Sequence, residues 1–300
     1  MGKIAFVFAG QGAQTVPMGK DLYEHFESVK QIFEMSAPIC ELCFNGPKEQ
    51  LDITINTQPA LFLTGLACAV ALTEEGVIAD GVAGFSLGEV PAACYAGLME
   101  PPQAFDFVCH RAKAMQECAE KNKGNMFAIL KLSADQVENI CKSLIQAYPV
   151  NYNCPGQTVV ACAEKTADAL QKAVTEAGGK AIKLAVSGAF HSPFMDTASK
   201  SISDYFENEQ LMQMRIPLYA NATAQIYGDP KELLSKQVNH PVLWQKTVEN
   251  MVSDGFDIFI EVGPGKTLSG LIKKTKTDVH ICNVFDRQSL ENTVKELRNA

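Results

Sequence analysis

GVAGFSLGEVPAACYAG, residues 81–97, reads as a buried strand, a sharp turn at Ser86 and a helix built from small residues. GFSLG at 84–88 fits G-x-S-x-G, in which flanking glycines let the backbone bend tightly and lift a serine hydroxyl to the N-terminus of the next helix. There the N–H groups and the helix dipole can stabilise negative charge on a reacting oxygen. On context alone the turn serves either a nucleophile or a purely structural bend.

Working outward, strands and helices alternate. Ile4–Phe8 (IAFVF) is an apolar run expected to be a fully buried strand, closed by the glycine-containing loop GQGAQ at 10–14. A helix is expected from near Pro17 into the thirties. Gln58–Glu75 is apolar on all sides, which predicts a buried helix, and Pro101–Glu120 a second one with proline near its start. Residues 216–220, 257–262 and 280–284 read as further strands, and 231–238, 244–253, 267–275 and 290–298 as helices. Such alternation predicts a mostly parallel sheet covered on both faces.

The middle of the chain differs. Strands are expected at 125–132, 150–153, 158–163 and 180–186, with helices at 133–146 and 166–176, the first opened by the capping-box form SADQ. The order β-α-β-β-α-β is the ferredoxin-like pattern. The fold class is therefore α/β: a parallel-sheet domain (1–123 and 190–300) with an inserted ferredoxin-like subdomain (124–189).

Composition narrows the function. The 300 residues are 47% hydrophobic and 20% charged, with a formal net charge of −8, which argues against a nucleic-acid binder needing a dominant basic surface. Ten cysteines are spread along the chain, mostly in apolar stretches, as expected of reduced thiols in a cytoplasmic protein. Cys40 and Cys43 form a CxxC, but no second pair or histidine cluster has zinc-site spacing, so the pair reads as two positions on a helix and no metal is expected. The apolar run Leu61–Leu72 is shorter than a membrane span, and no membrane association is expected.

A nucleophilic serine needs a base. Of five histidines, His25 and His110 fall on helices without special context, His280 opens a strand, and His240 before Pro241 reads as a helix-end contact. His191 lies in VSGAFHSPFM, just after the inserted segment, where a loop can carry a side chain across a domain junction. Position alone leaves it open between base and structural residue. An ordinary α/β-hydrolase places its histidine after an Asp or Glu and carries an HGGG-type oxyanion motif; this chain has neither that order nor that motif, so a plain esterase loses ground.

Eight ordered blocks now become specific: FAGQGAQ (8–14), NTQPAL (56–61), GFSLGE (84–89), HRAKAMQE (110–117), NYNCPGQ (151–157), GAFHSPFM (188–195), QVNHPVLW (237–244) and EVGPGK (261–266). Over nearly its whole length the chain resembles the malonyl-CoA:acyl-carrier-protein transacylases, the acyltransferases of fatty-acid and polyketide synthesis. The resemblance implies a hydrolase-like domain with a ferredoxin-like insertion. It also implies a ping-pong reaction in which His191 deprotonates Ser86, Ser86 takes the malonyl group from malonyl-CoA, and the phosphopantetheine thiol of acyl carrier protein removes it. By the same resemblance the Gln11 and Leu87 N–H groups form the oxyanion hole, Gln237 orients His191 through its carbonyl, and Arg111 binds the malonyl carboxylate. Met115, Asn153 and Phe190 would line the pocket, Phe190 marking the malonyl-selective rather than methylmalonyl-selective form. No cofactor is implied, the partner carries the phosphopantetheine arm, and a monomer is expected.

Three residues depart from the family's pattern: Phe85 replaces a histidine, Val90 an aromatic residue and Ala9 a proline. The alternatives weighed are a trans-acting polyketide-synthase acyltransferase, a serine thioesterase using the same Ser86 and His191, and a non-catalytic carrier-binding subunit. An acidic enzyme meeting an acidic carrier protein would need segregated charge. The candidate basic rim is Lys266, Lys273, Lys274 and Lys276, with Lys180 and Lys183 on the insertion.

Overall fold

The computed structural model describes residues 2–186 and 188–299. Among the described residues nine strands form two sheets: β1 (Lys3–Phe8), β2 (Gly81–Gly84), β3 (Gly124–Leu130), β4 (Ala147–Cys154), β5 (Gln157–Ala163), β6 (Lys180–Lys183), β7 (Leu218–Tyr219), β8 (Phe256–Val262) and β9 (His280–Val284). The first sheet has the order β7-β2-β1-β8-β9, and every pairing in it is parallel. β1 is central because its residues Ala5–Phe8 are all buried apolar groups that only a strand covered on both faces can hold.

Chain order reverses beside β1: β2 lies on one side of it and β8 on the other. In open α/β sheets such a switch point opens a crevice at the carboxyl ends of the strands. Register brings three strand ends level, because Phe8 pairs with both Gly84 and Val262. The loops after β1, β2 and β8 therefore emerge side by side.

The second sheet, β4-β5-β3-β6, is antiparallel throughout and comes from residues 124–183 alone. With helices Ala134–Lys142 and Ala167–Glu176 it is the expected βαββαβ arrangement. It is tied to the rest of the chain along β4: Tyr152 N–H donates to Val242 O (2.9 Å) and Val242 N–H to Val150 O (2.8 Å). That ladder holds the β4 side chains over the end of the first sheet.

Several elements differ from expectation. The helix after Pro17 is two short ones, Lys20–His25 and Glu27–Phe33, broken at Phe26, whose backbone is extended. The capping box at Ser133 forms as predicted, but its helix stops at Lys142 rather than 146: Ser143 and Leu144 N–H close it on Ile140 O and Cys141 O, and Gln146 takes a positive φ of 55° just before β4. β6 ends at Lys183, short of 186. A helix at Asp196–Phe206 was not foreseen: its serine-rich sequence carries only a thin apolar stripe, Ala198, Ile202 and Phe206. The core helix is longer than predicted, Thr54–Glu74, and includes Pro59. By length and composition it could cross a membrane, but 83% of its apolar window is buried inside the fold. Cys40 and Cys43 fall on the helix Ala37–Asn45, with Cys43 fully buried.

Candidate active site

The G-x-S-x-G turn forms because its glycines allow contacts that no side chain permits. A Cβ on Gly84 would lie 1.9 Å from the Gly88 carbonyl carbon, and one on Gly88 would lie 2.1 Å from Phe8 O. The turn thus presses against the end of β1. Ser86 itself takes a left-handed φ of 53°, an uncommon conformation for a residue with a side chain, which tips its hydroxyl out of the sheet. Its N–H is held by Asn221 Oδ1 at 2.7 Å, and Asn221 Nδ2 donates to Gly84 O at 2.6 Å.

His191 arrives from the loop that leaves the antiparallel sheet. Its backbone also has a left-handed φ, 60°, and its N–H donates to Val238 O at 2.9 Å. Nε2 lies 2.6 Å from Ser86 Oγ, and Nδ1 lies 2.9 Å from Gln237 O. A carbonyl oxygen can only accept, so Nδ1 carries the proton and Nε2 presents its lone pair to the serine hydroxyl. Burial, and next the Arg111 charge, push the imidazole down to about 4, which keeps it neutral, with its Nε2 lone pair unprotonated, at pH 7.

Arg111, on the helix Pro101–Lys121, is 1% exposed, although an isolated arginine at that spacing would read as a surface residue. Nη1 donates to Gln58 Oε1 (2.6 Å) and Nη2 to Gln237 Oε1 (2.7 Å), and Nη2 lies 3.5 Å from Ser86 Oγ. Burial lowers the guanidinium to about 10, so it stays charged. Gln237 serves four neighbours: its carbonyl takes His191, its Oε1 takes Arg111, and its Nε2 donates to Ser86 O at 2.5 Å and to Glu89 Oε2 at 3.1 Å.

Gln58, Glu89, Asn221 and Tyr227 complete this buried cluster, and the sequence analysis assigned none of them a role. Gln58 and Glu89 lay inside two of the quoted blocks, which was the available signal; Asn221 and Tyr227 carried none. Glu89 accepts from the Tyr227 hydroxyl, from Asn221 N–H (3.2 Å) and from Gln237. Burial pushes its carboxyl up to about 7 despite those donors and the Arg111 charge.

Beside Ser86 is a cavity of about 260 Å³ whose walls come from both sheets. Gln11, Met115, Asn153, Phe190 and His191 all line it, as does Phe85. Asn153 is 6% exposed and its Oδ1 has no partner among the described residues. Met115 Sδ accepts from Gln58 Nε2 at 3.4 Å, so it also steadies the residue that holds Arg111. Leu87 is buried behind Ser86. Among the described residues, neither the Leu87 nor the Gln11 backbone N–H has an acceptor, whereas Gly12 and Ala13 in the same loop do. Phe85 packs edge-on against Trp244 with ring centroids 5.6 Å apart. The other histidines are elsewhere: His240 Nδ1 faces Lys236 O at a helix end, His25 faces Asp21 O, and His110 meets Ser201.

An acyl transferase domain matches residues 5–295. The chain belongs to the acyl transferase family. Among relatives, the malonyl CoA-acyl carrier protein transacylase of Bacillus subtilis is 33% identical over 311 residues, covering 99% of this chain and 98% of that one. The crystal structure of malonyl CoA-acyl carrier protein transacylase from Clostridium perfringens superposes with a TM-score of 0.95 at 36% identity, covering 99% and 98% of the two chains. A malonyl-transacylase solved in complex with its type II polyketide-synthase acyl-carrier protein gives a TM-score of 0.93 at 32% identity, with 98% and 99% covered. This acyl transferase therefore shares its α/β architecture with those enzymes over essentially their whole length.

Proposed function

We propose that this acyl transferase moves malonyl from malonyl-CoA to the phosphopantetheine thiol of acyl carrier protein through a malonyl-serine intermediate, supplying extender units for fatty-acid synthesis. The observation that carries this reading is a charged, fully buried Arg111 held 3.5 Å from a serine already hydrogen-bonded to a neutral histidine. Ser86 Oγ attacks the thioester carbonyl while His191 Nε2 takes its proton. The Gln11 and Leu87 N–H groups meet the developing oxyanion, and CoA leaves as its sulfur takes the proton from His191. The carrier's thiol then attacks the malonyl ester, with His191 again acting as base. A guanidinium beside Oγ is within reach of a carboxylate two carbons beyond the new ester carbonyl, and a fork of N–H donors suits two carboxylate oxygens. Phe190 and Met115 close the cavity around the acyl chain. A branched extender would have to displace Phe190, a discrimination of about 1–3 kcal/mol per methyl.

In this reading the segment 124–189 is an inserted subdomain supplying one wall of the cavity, with Asn153 offering its free carbonyl to an amide of the pantetheine arm. None of Lys180, Lys183, Lys266, Lys273, Lys274 and Lys276 is in an ion pair among the described residues, which leaves their charge available to an acidic carrier. The direct experiment presents malonyl-CoA with and without holo carrier protein. The expected result is malonyl-carrier formation far faster than malonate release. Hydrolysis outpacing transfer would make the protein a thioesterase.

The His191 environment also sets a pH dependence. Acylation needs the neutral imidazole, which exists above its own pKa, so kcat/KM should fall as pH drops through about 4. An acid limb centred near 6.5, where an unperturbed histidine titrates, would mean that burial and Arg111 do not lower the His191 imidazole.

A further inference from the structure

The parallel sheet ends at β9, and a second cluster of reactive side chains lies on that edge. His280 and Cys282 are two apart on β9 and therefore share a face. The last helix, Arg287–Arg298, packs back over this strand and brings Glu296 to the same point. Cys282 Sγ lies 3.3 Å from His280 Nε2, His280 Nε2 lies 3.3 Å from Glu296 Oε1, and Cys282 Sγ lies 3.7 Å from Glu296 Oε2. One ligand atom from each residue falls within 4.8 Å of the others.

These separations match the edges of a metal polyhedron. Tetrahedral zinc with sulfur at ~2.3 Å and nitrogen or oxygen at ~2.0–2.2 Å has ligand-to-ligand edges of about 3.3–3.7 Å. A thiolate, an imidazole and a carboxylate together favour zinc and its neighbours over magnesium or calcium, which take oxygen ligands. The carboxylate turns one oxygen to the histidine and the other to the thiol, so it can bind through either or both. The site is open to entry: the His280 and Glu296 side chains are 40% and 55% exposed, while Cys282 forms the buried floor. Burial, and next the Glu296 carboxylate, push the Cys282 thiol up to about 12, with the Thr293 hydroxyl opposing them only in part, so an arriving cation must displace the thiol proton. We propose that His280, Cys282 and Glu296 form a three-ligand site for a zinc-class divalent cation, with water at the fourth position, that pins the final helix to the edge of the sheet.

Loading exchanges one bond for another: the cation binds sulfur and the thiol proton leaves to solvent. The site is remote from catalysis. His280 pairs with Ile258 at the start of β8, whereas the reactive loops follow Val262 at its other end. No spacing rule could have shown it, because the third ligand comes from a different element than the first two.

The test uses the full chain, stripped with a chelator and kept reduced. Titration with Co²⁺ should give one equivalent bound, with a thiolate-to-cobalt absorption band in the near ultraviolet that Zn²⁺ bleaches. Zinc should also raise Tm by several degrees. His280→Ala and Glu296→Gln alter exposed side chains and should keep the fold while weakening binding by about tenfold or more. Cys282→Ser should abolish the band. The proposal fails if no band develops, if the band survives Cys282→Ser, which would place the metal on another thiol, or if His280→Ala binds as tightly as the parent. In those cases the cluster is an ion pair over a buried thiol and nothing more.

Discussion

Ser86→Ala is expected to abolish the malonyl adduct seen by intact-protein mass spectrometry after incubation with malonyl-CoA, and to cut transfer to carrier protein by about 10⁴-fold or more. The argument is one of supply. Among the described residues no cysteine lines the cavity, so no second thiol stands beside the reacting carbonyl. His191 is braced by Gln237 O on one side and has only Ser86 to activate on the other. The variant also leaves Nε2 of a buried imidazole without its donor, a cost of about 1–3 kcal/mol that thermal unfolding would register as a small loss of stability. Because the turn's shape rests on Gly84 and Gly88, the fold should survive. A persistent adduct of unchanged stoichiometry would sink the acyl-serine mechanism while leaving the fold and family untouched.

The second large effect belongs to Arg111. Arg111→Ala should lower kcat/KM for malonyl-CoA by about 10²–10³-fold, the worth of two charge-assisted hydrogen bonds, and leave acetyl-CoA within roughly tenfold. The preference would then move from the charged to the uncharged acyl group. Stability should also fall, because Gln58 Oε1 and Gln237 Oε1 lose their donor and Glu89 its counter-charge. Breaking a buried pair costs about 3–5 kcal/mol, and the lower end applies here: a carboxyl already pushed up to about 7 can take a proton instead of staying charged. Arg111→Lys separates the two roles. It keeps a cation near Glu89 and should recover much of the stability, but it lacks the planar fork and should recover only part of the malonyl preference. If the ratio of malonyl to acetyl turnover is unchanged in both variants, Arg111 does not select the substrate.

Much of this architecture was legible in the amino-acid order. Small residues around Ser86, apolar runs ending in glycine at β1 and β8, and the SADQ cap of the helix after β3 each act through local chemistry, so periodicity and turn residues reveal them. The helix at Asp196–Phe206 was not legible, because its stability comes from packing a thin apolar stripe on the helix Pro101–Lys121 rather than from its own sequence. Of the candidate site, Ser86 was singled out by its glycine turn, His191 by its loop, and Arg111 and Gln237 by the ordered blocks, and the structure places these four side chains together. Gln58 and Glu89 lay in those blocks without an evident task, and Asn221 and Tyr227 were invisible.

By itself, then, the sequence determined the alternating α/β plan, the βαββαβ insertion, and a serine placed on a tight glycine turn, since backbone preferences and hydrophobic periodicity act over a few residues. Only the tertiary structure decided that the hydroxyl, the imidazole and the guanidinium meet. Ser86 and His191 are 105 residues apart, and Arg111 and Gln237 are 126 apart. Contacts of that span depend on parallel strands ending level and on a buried network in which each polar group satisfies another, and neither leaves a mark on neighbouring residues in the chain.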